Sequence, residues 1–242
     1  MPVTLHVWRV PRRRVAAAMI RIAFPGVRDV RFAKFVGTSA GFLPRDADLT
    51  RYAAITVSEK PVRLDKWDKL AVASARVELE PLLSRGSWSG QQPFLLPDRS
   101  EMSGSDVSDF SGGTDSAADS GRHGPMVLAL TRARLRPSKM RTFYRAVPAV
   151  VPEVEQATGL LARFGIGEAP IGYQGTISLW RNAADLARFA YRQPEHRAVI
   201  ARTPADRWYS EELFARFAVR EISGDRAVLG WVAGDEKGVT RR

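Results

Sequence analysis

Pro194 pre-sets the first turn of a helix, and His196, Val199, Ile200 and Thr203 then follow at i, i+3, i+4 and i+7. That spacing puts an imidazole on the apolar face of a short helix, pointing inward. A histidine so placed serves as an ordinary core residue once its nitrogens are hydrogen-bonded. It also meets the needs of an iron porphyrin, with one nitrogen free for the metal and the other held by a hydrogen bond. Trp180, Phe189, Tyr191, Trp208, Tyr209 and Phe214 concentrate flat, apolar side chains in the same stretch, as core or as pocket wall. Arg202 and Arg207 have the chemistry to meet acidic groups such as porphyrin propionates.

The other chemical motifs are weaker. Gly37-Thr38-Ser39-Ala40-Gly41 has the spacing of a nucleophile elbow, but Phe42-Leu43-Pro44-Arg45 follows where a helix is required, so a glycine-rich connection between strands is expected. Gly165-Ile166-Gly167 lacks the third glycine of a dinucleotide fingerprint, and Pro170 stands where its helix would begin; a turn is expected, with Glu168 able to orient a polar group. Glu211 and Glu212 are adjacent and cannot converge on one bond as acid and base. One is expected in water and the other on a backbone group. No catalytic acid, base or nucleophile is assigned.

Composition narrows the classes. The 242 residues contain no cysteine, which removes disulfides, thiolate metal sites and a cysteine nucleophile. With only His6, His123 and His196 available, one histidine on one iron is easier to build than a three-histidine zinc site. The net charge of +11 favours acidic partners or surfaces. Arg12, Arg13 and Arg14 form the one tight basic run, without interleaved aromatics, so nucleic-acid binding is not expected. No secretory signal and no apolar run of membrane-spanning length appears, which makes the cytoplasm the expected compartment and leaves reversible attachment to a membrane surface open.

The elements repeat. Strand, helix, two strands, helix, strand is expected over 1–96, with a helix from Leu64 and a short last strand near Gln92–Leu96. Residues 97–124, rich in Ser, Gly and Asp, read as a disordered linker. The same order returns over 125–234, where Asn182 caps a helix, and 235–242 reads as a disordered tail. Phe32-Ala33-Lys34-Phe35 is similar to Leu161-Ala162-Arg163-Phe164, and Trp88 to Phe94 is similar to Trp208 to Phe214. The expected class is α+β: two ferredoxin-like repeats of the dimeric α/β barrel type, with two antiparallel sheets packed face to face.

The run Leu161 to Glu168, with Ser178-Leu179-Trp180, Phe189-Ala190-Tyr191, His196 and Trp208 to Phe217, resembles the spheroidene monooxygenase family of carotenoid oxygenases. Ala33 to Thr38 with Gly41-Phe42 is similar to that family's glycine-rich segment. The resemblance implies a haem-dependent monooxygenase that hydroxylates and further oxidises an apolar polyene, taking electrons from a ferredoxin-like donor. It carries the axial-ligand role to His196 on haem b, with Trp180, Trp208 and Phe189 lining the pocket and Arg202 on the cofactor. A cofactor-independent monooxygenase of the antibiotic-biosynthesis type and a non-catalytic haem or small-ligand binding protein are the alternative readings. The oligomeric state is not legible.

Overall fold

Alternation of side chains along the strands builds the core. Val3, Leu5 and Val7 of β1 (Val3–Arg9) point into the apolar centre, while His6 and Trp8 point outward. The computed structural model describes residues 1–41, 43–60, 62–94, 124–146, 157–169, 172–192 and 208–231. After β1 come α1 (Val15–Ala23), β2 (Phe32–Ser39), β3 (Ala47–Val57), the single turn α2 (Asp65–Asp68) and β4 (Ala73–Gly86). The second half supplies β5 (Val127–Leu135), α3 (Met140–Ala146), β6 (Leu160–Gly167), β7 (Tyr173–Trp180), α4 (Ala183–Arg192) and β8 (Tyr209–Gly224).

The two ferredoxin-like repeats with separate sheets face to face are not what the chain forms. It is one closed, eight-stranded antiparallel barrel with few helices, in the order β1-β3-β2-β6-β7-β5-β8-β4. β4 and β8 join the halves from Ala75↔Gly224 to Gly86↔Leu213. The other seam is short: Gly37↔Gly167, Thr38↔Ile166 and Ser39↔Gly165 join β2 to β6. Alternation tells which face of a strand is buried but leaves its edge partners unspecified, and closing the barrel removes the open edges that separate sheets would carry.

The seam explains both glycine-rich motifs. Gly165 lies in a strand, not in a turn, and a Cβ built there would collide with Ser39 Oγ. Ser39 donates to the Gly41 carbonyl at 2.6 Å, and Arg51 donates to Thr38 Oγ1 and the Ser39 carbonyl. These glycines let two backbones approach closely.

The end of the first half also differs from expectation. Only one helical turn surrounds Trp67; then Ala75, Val77 and Leu79 alternate with Arg76, Glu78 and Glu80 in the long strand β4. Residues 87–94 form a plug rather than a strand. Trp88 and Phe94 are buried in it, with Phe94 edge-on to Phe217 at 4.9 Å. Trp88 to Phe94 and Trp208 to Phe214 are therefore not structural equivalents. Phe35 and Phe164 also face opposite ways, outward and inward.

The barrel interior is packed solid with apolar side chains from both halves, including Leu5, Ile55, Leu128, Leu130, Ile177 and Phe217. Outside the first half, α1 and Trp67 cover Trp8, Phe35, Tyr52 and Ala54. The expected linker (97–124, except Gly124), the helical stretch after Pro194 and the tail lie outside the described residues.

Candidate active site

The second half presents its outer face differently from the first. Val10 and Leu135 are both buried at the ends of corresponding strands, each just before a 3-10 turn, Arg12–Arg14 and Pro137–Lys139. Two residues back stand Trp8 and Ala133; four back stand His6 and Thr131. Across the ladder, Trp8 pairs with Tyr52, whereas Ala133 pairs with Gln174. In the first half Trp67 stacks on Trp8 at 4.9 Å and on Phe35 at 5.8 Å, filling that face. The second half offers small side chains instead. Thr131 is exposed, and Ala133, Thr176 and Ser178 are half-buried. The result is a shallow floor between α3 and α4.

Aromatic groups stand at both ends of this floor. Asn182 caps α4 by accepting from the Asp185 amide at 2.9 Å. The helix lays Phe189 against Trp180 with centroids 5.2 Å apart, over Val127 and Ala129. At the other end Phe143 of α3 meets Trp208 edge-on at 5.9 Å, and Gln174 donates to Tyr144 Oη at 2.8 Å. Trp208 Nε1 is buried without a hydrogen-bond partner, an unsatisfied donor of the kind that ligands and water commonly meet.

The expected site residues are thus divided. Trp180 and Phe189 are together. Trp208 precedes Tyr209, which pairs with Leu135, while Trp180 pairs with Val127. That separation is about eight strand residues, roughly 26 Å, so the two tryptophans bound the floor rather than share one wall. His196, Arg202 and Arg207 lie outside the described residues.

A second concave region, about 610 Å³, opens at the end of the barrel where β5 finishes and β8 begins. Arg132 points inward in line with Leu128 and Leu130, and its side chain is 3% exposed. It donates to Glu168 at 2.6 Å and, closely, to Glu211. Its guanidinium also lies 5.6 Å from the Trp88 ring and 5.7 Å from that of Tyr173. Glu211 accepts from the Gly90 amide at 2.7 Å, tying the 87–94 plug to β8. Burial alone would raise its pKa, but the Gly90 amide, Arg132 and the Ser89 amide outweigh that and bring it down to about 2. Burial pushes Glu168 up as well, and Arg132, Trp88 and Lys34 more than reverse it. Both carboxylates stay ionised near neutrality, so neither offers a proton. This mouth is a clasp that closes the barrel.

The backbone role expected for one of the two adjacent glutamates falls to Glu211, with Glu212 in water. The sequence reading missed Arg132. Its signal was there: an arginine continuing the inward series 128, 130, 132 needs buried acidic partners.

A smaller cleft of about 210 Å³ lies beside His6, between Trp8, Asp68 and Arg76. The imidazole is parallel to Trp8 at 5.5 Å, and its Nε2 lies 3.5 Å from Thr56 Oγ1. Burial, with Arg76 adding to it, lowers its pKa to about 3. His6 is the one described histidine. Its cleft falls below the ~300–1,000 Å³ of ordinary ligand pockets, and its ring lies flat on an indole, so it does not suit a porphyrin.

The barrel is of the kind seen in the crystal structure of aldoxime dehydratase, with a TM-score of 0.52 at 12% identity over 90% of this chain and 80% of that one. That likeness concerns the fold alone. No family model matches the sequence. Spheroidene monooxygenase of Rhodobacter capsulatus is 30% identical over 207 residues, 81% of this chain and 78% of that protein. Spheroidene monooxygenase of Rubrivivax gelatinosus is 30% identical over 224 residues, 88% of this chain and 76% of that protein. The chain belongs to the spheroidene monooxygenase family, and it is an enzyme, a monooxygenase.

Proposed function

We propose that this monooxygenase oxidises an apolar polyene of the carotenoid class with haem b held by His196, and that the outer face of the second half receives the substrate. The observation that carries the substrate class is the 30% identity, spread over four fifths of the chain, to a protein named for the carotenoid spheroidene. The location rests on the contrast between Trp8 and Ala133. The first half fills its outer face with its own tryptophans, whereas the second has a floor of small residues bounded by aromatic ends. Because the barrel interior is solid, a long apolar molecule has its place outside it.

A haem needs one free imidazole; His6 does not qualify, and the family resemblance carries that role to His196. When bound, haem supplies the reductive activation of O₂ and the delivery of one oxygen atom to a C–H bond, with electrons from an external carrier. The chain's own residues bind and exclude water. Phe189, half-buried on Trp180, offers an apolar edge, Thr131 and Thr176 leave room, and Trp208 Nε1 has a hydrogen bond to give. Arg202 takes the role of a propionate partner. The net charge of +11 suits an acidic ferredoxin-like donor through faster encounter.

The test is an absorption spectrum and a turnover assay on protein produced with ample iron and haem precursor. A Soret band, its loss in His196→Ala, and oxidation of a carotenoid with reduced ferredoxin and O₂ are expected. Turnover without a Soret band would overturn the haem assignment and favour the cofactor-independent reading. A Soret band without turnover on any polyene would overturn the substrate class.

A further inference from the structure

Helix α1 departs from the usual pattern of a surface helix. A helix that is apolar around its whole circumference belongs in a core or a bilayer. α1 reads Val-Ala-Ala-Ala-Met-Ile-Arg-Ile-Ala, with Arg21 its single polar residue, yet it lies on the outside of the barrel and fully buries only Ala18. At about 100° per residue, Met19, Ala23, Ala16, Ile20, Phe24 and Ala17 sweep one continuous arc, and all six are exposed. Met19, Ile20 and Phe24 are 56%, 65% and 79% exposed, far more than packing on the barrel requires.

The charges at its ends are equally specific. Arg12, Arg13 and Arg14 precede the helix with no acidic residue among them, at the end where the helix dipole disfavours cations. Arg14 donates to the Lys69 and Leu70 carbonyls at 2.6 and 3.2 Å. Arg12 and Arg13 are exposed and make no ion pair among the described residues, and Arg28, beyond the other end, is exposed as well. Leu49 and Val72, 61% and 65% exposed, flank the strand end from which the chain turns into α1, where Val10 bonds to Thr50 and Val72 bonds to Arg9.

We propose that this face docks on an anionic lipid surface, with the Met19–Ile20–Phe24 side immersed at the headgroup boundary and Arg12, Arg13 and Arg28 on lipid phosphates. An apolar arc flanked by free arginines is the composition of an interfacial helix. A second copy of the chain would present the same positive charge, so the arginines select a negative partner. The inference deepens the reading above, because an apolar polyene partitions into bilayers and an enzyme resting on one meets it there.

The experiment measures binding without substrate, so its failure leaves the substrate reading standing. Full-length protein is sedimented with vesicles of phosphatidylcholine alone, or mixed equally with phosphatidylglycerol, at low and high salt. The expected result is co-sedimentation with the anionic vesicles, weakened by salt. Arg12→Glu with Arg13→Glu, and separately Ile20→Asp with Phe24→Asp, are expected to lose about tenfold or more in partitioning. Arg12 and Arg13 make no side-chain hydrogen bond or ion pair among the described residues, so the melting temperature of their double variant stays at the wild-type value. Wild type left in the supernatant, variants that bind as well as wild type, or a dimer dissociated by Ile20→Asp with Phe24→Asp would each overturn the proposal.

Discussion

Ala133 occupies the place in the second half that Trp8 occupies in the first, and this pair sets the difference between a filled sheet face and an open one. The indole of Trp8 is held between His6 and Trp67 and donates to Asp68 at 2.7 Å. A methyl group at 133 occupies far less of the corresponding space above β5 and β7.

Ala133→Trp therefore fills the floor from the protein's side. Because residue 133 is half-buried and the new ring lies outside the core, stability should change by less than about 1 kcal/mol. With the site on this face as proposed, product from a carotenoid and the Soret absorbance should both fall by roughly tenfold or more. Urea titration beside a Soret spectrum and a product assay separates the two effects. A variant as active as wild type would move the site away from this face.

Arg132 gives a stability test of the barrel mouth. Arg132→Met leaves Glu168 and Glu211 ionised in partly buried positions without their shared partner, which costs about 3–5 kcal/mol. Adding Glu168→Gln and Glu211→Gln to it should recover most of that loss, since only Lys34, a quarter exposed, is then left without its carboxylate. Chemical denaturation of the single and triple variants is the measurement; equal stability of the two would show that the clasp is not electrostatic.

Acid stability should fall through two overlapping windows. His6 is neutral in the folded chain because burial, helped by Arg76, holds its pKa near 3 against an ordinary 6.5. Only the unfolded chain takes up that proton between these values. Stability thus drops as pH falls from 6.5 towards 3, by up to about 1.4 kcal/mol per unit. Glu211 has its pKa lowered from 4.5 to about 2, so its contribution is complete above 4.5 and disappears as pH falls towards 2. Between pH 6.5 and 4.5 His6 acts without Glu211. Urea midpoints across that range should decline in wild type and stay nearly flat in His6→Gln; a slope unchanged by the substitution would place the titrating group elsewhere.

Much of the strand pattern was legible because it depends on local alternation. Val3, Leu5 and Val7, or Leu128 and Leu130, announce an inward face without reference to any neighbour. What escaped was partnership. Nothing local in Gly37 or Gly167 says that one will lie opposite the other, and a short text match such as Phe35 with Phe164 proved blind to which face each ring takes. β4 was missed since Trp67 and Ala71 fit a helix while the alternation Ala75, Val77, Leu79 begins immediately after. On the site, Trp180 and Phe189 lie against each other, a contact that no spacing in the sequence announced. Arg132 and its two glutamates, up to 79 residues apart in sequence, could be read only once the strands had partners.

The β2–β6 seam supplies the last prediction. Three residue pairs close the barrel there, and the backbones approach so closely that a Cβ at 165 meets Ser39 Oγ and the Gly41 carbonyl. Ser39 can rotate away, which softens the collision for the smallest side chain, but the Gly41 carbonyl at 2.9 Å is backbone and cannot. Gly165→Ala should destabilise by about 1–3 kcal/mol and Gly165→Val by more, as the branched chain adds two methyl groups to the same crowded approach. Adding Ser39→Ala should return part of the loss to Gly165→Ala and little to Gly165→Val. Amide exchange of Ser39 and Gly167 would report the opening directly, since the alternation that turns the Ala40 amide to Asp46 turns these two into the seam. If Gly165→Val leaves those amides as protected as in wild type, close backbone approach is not why the position is glycine.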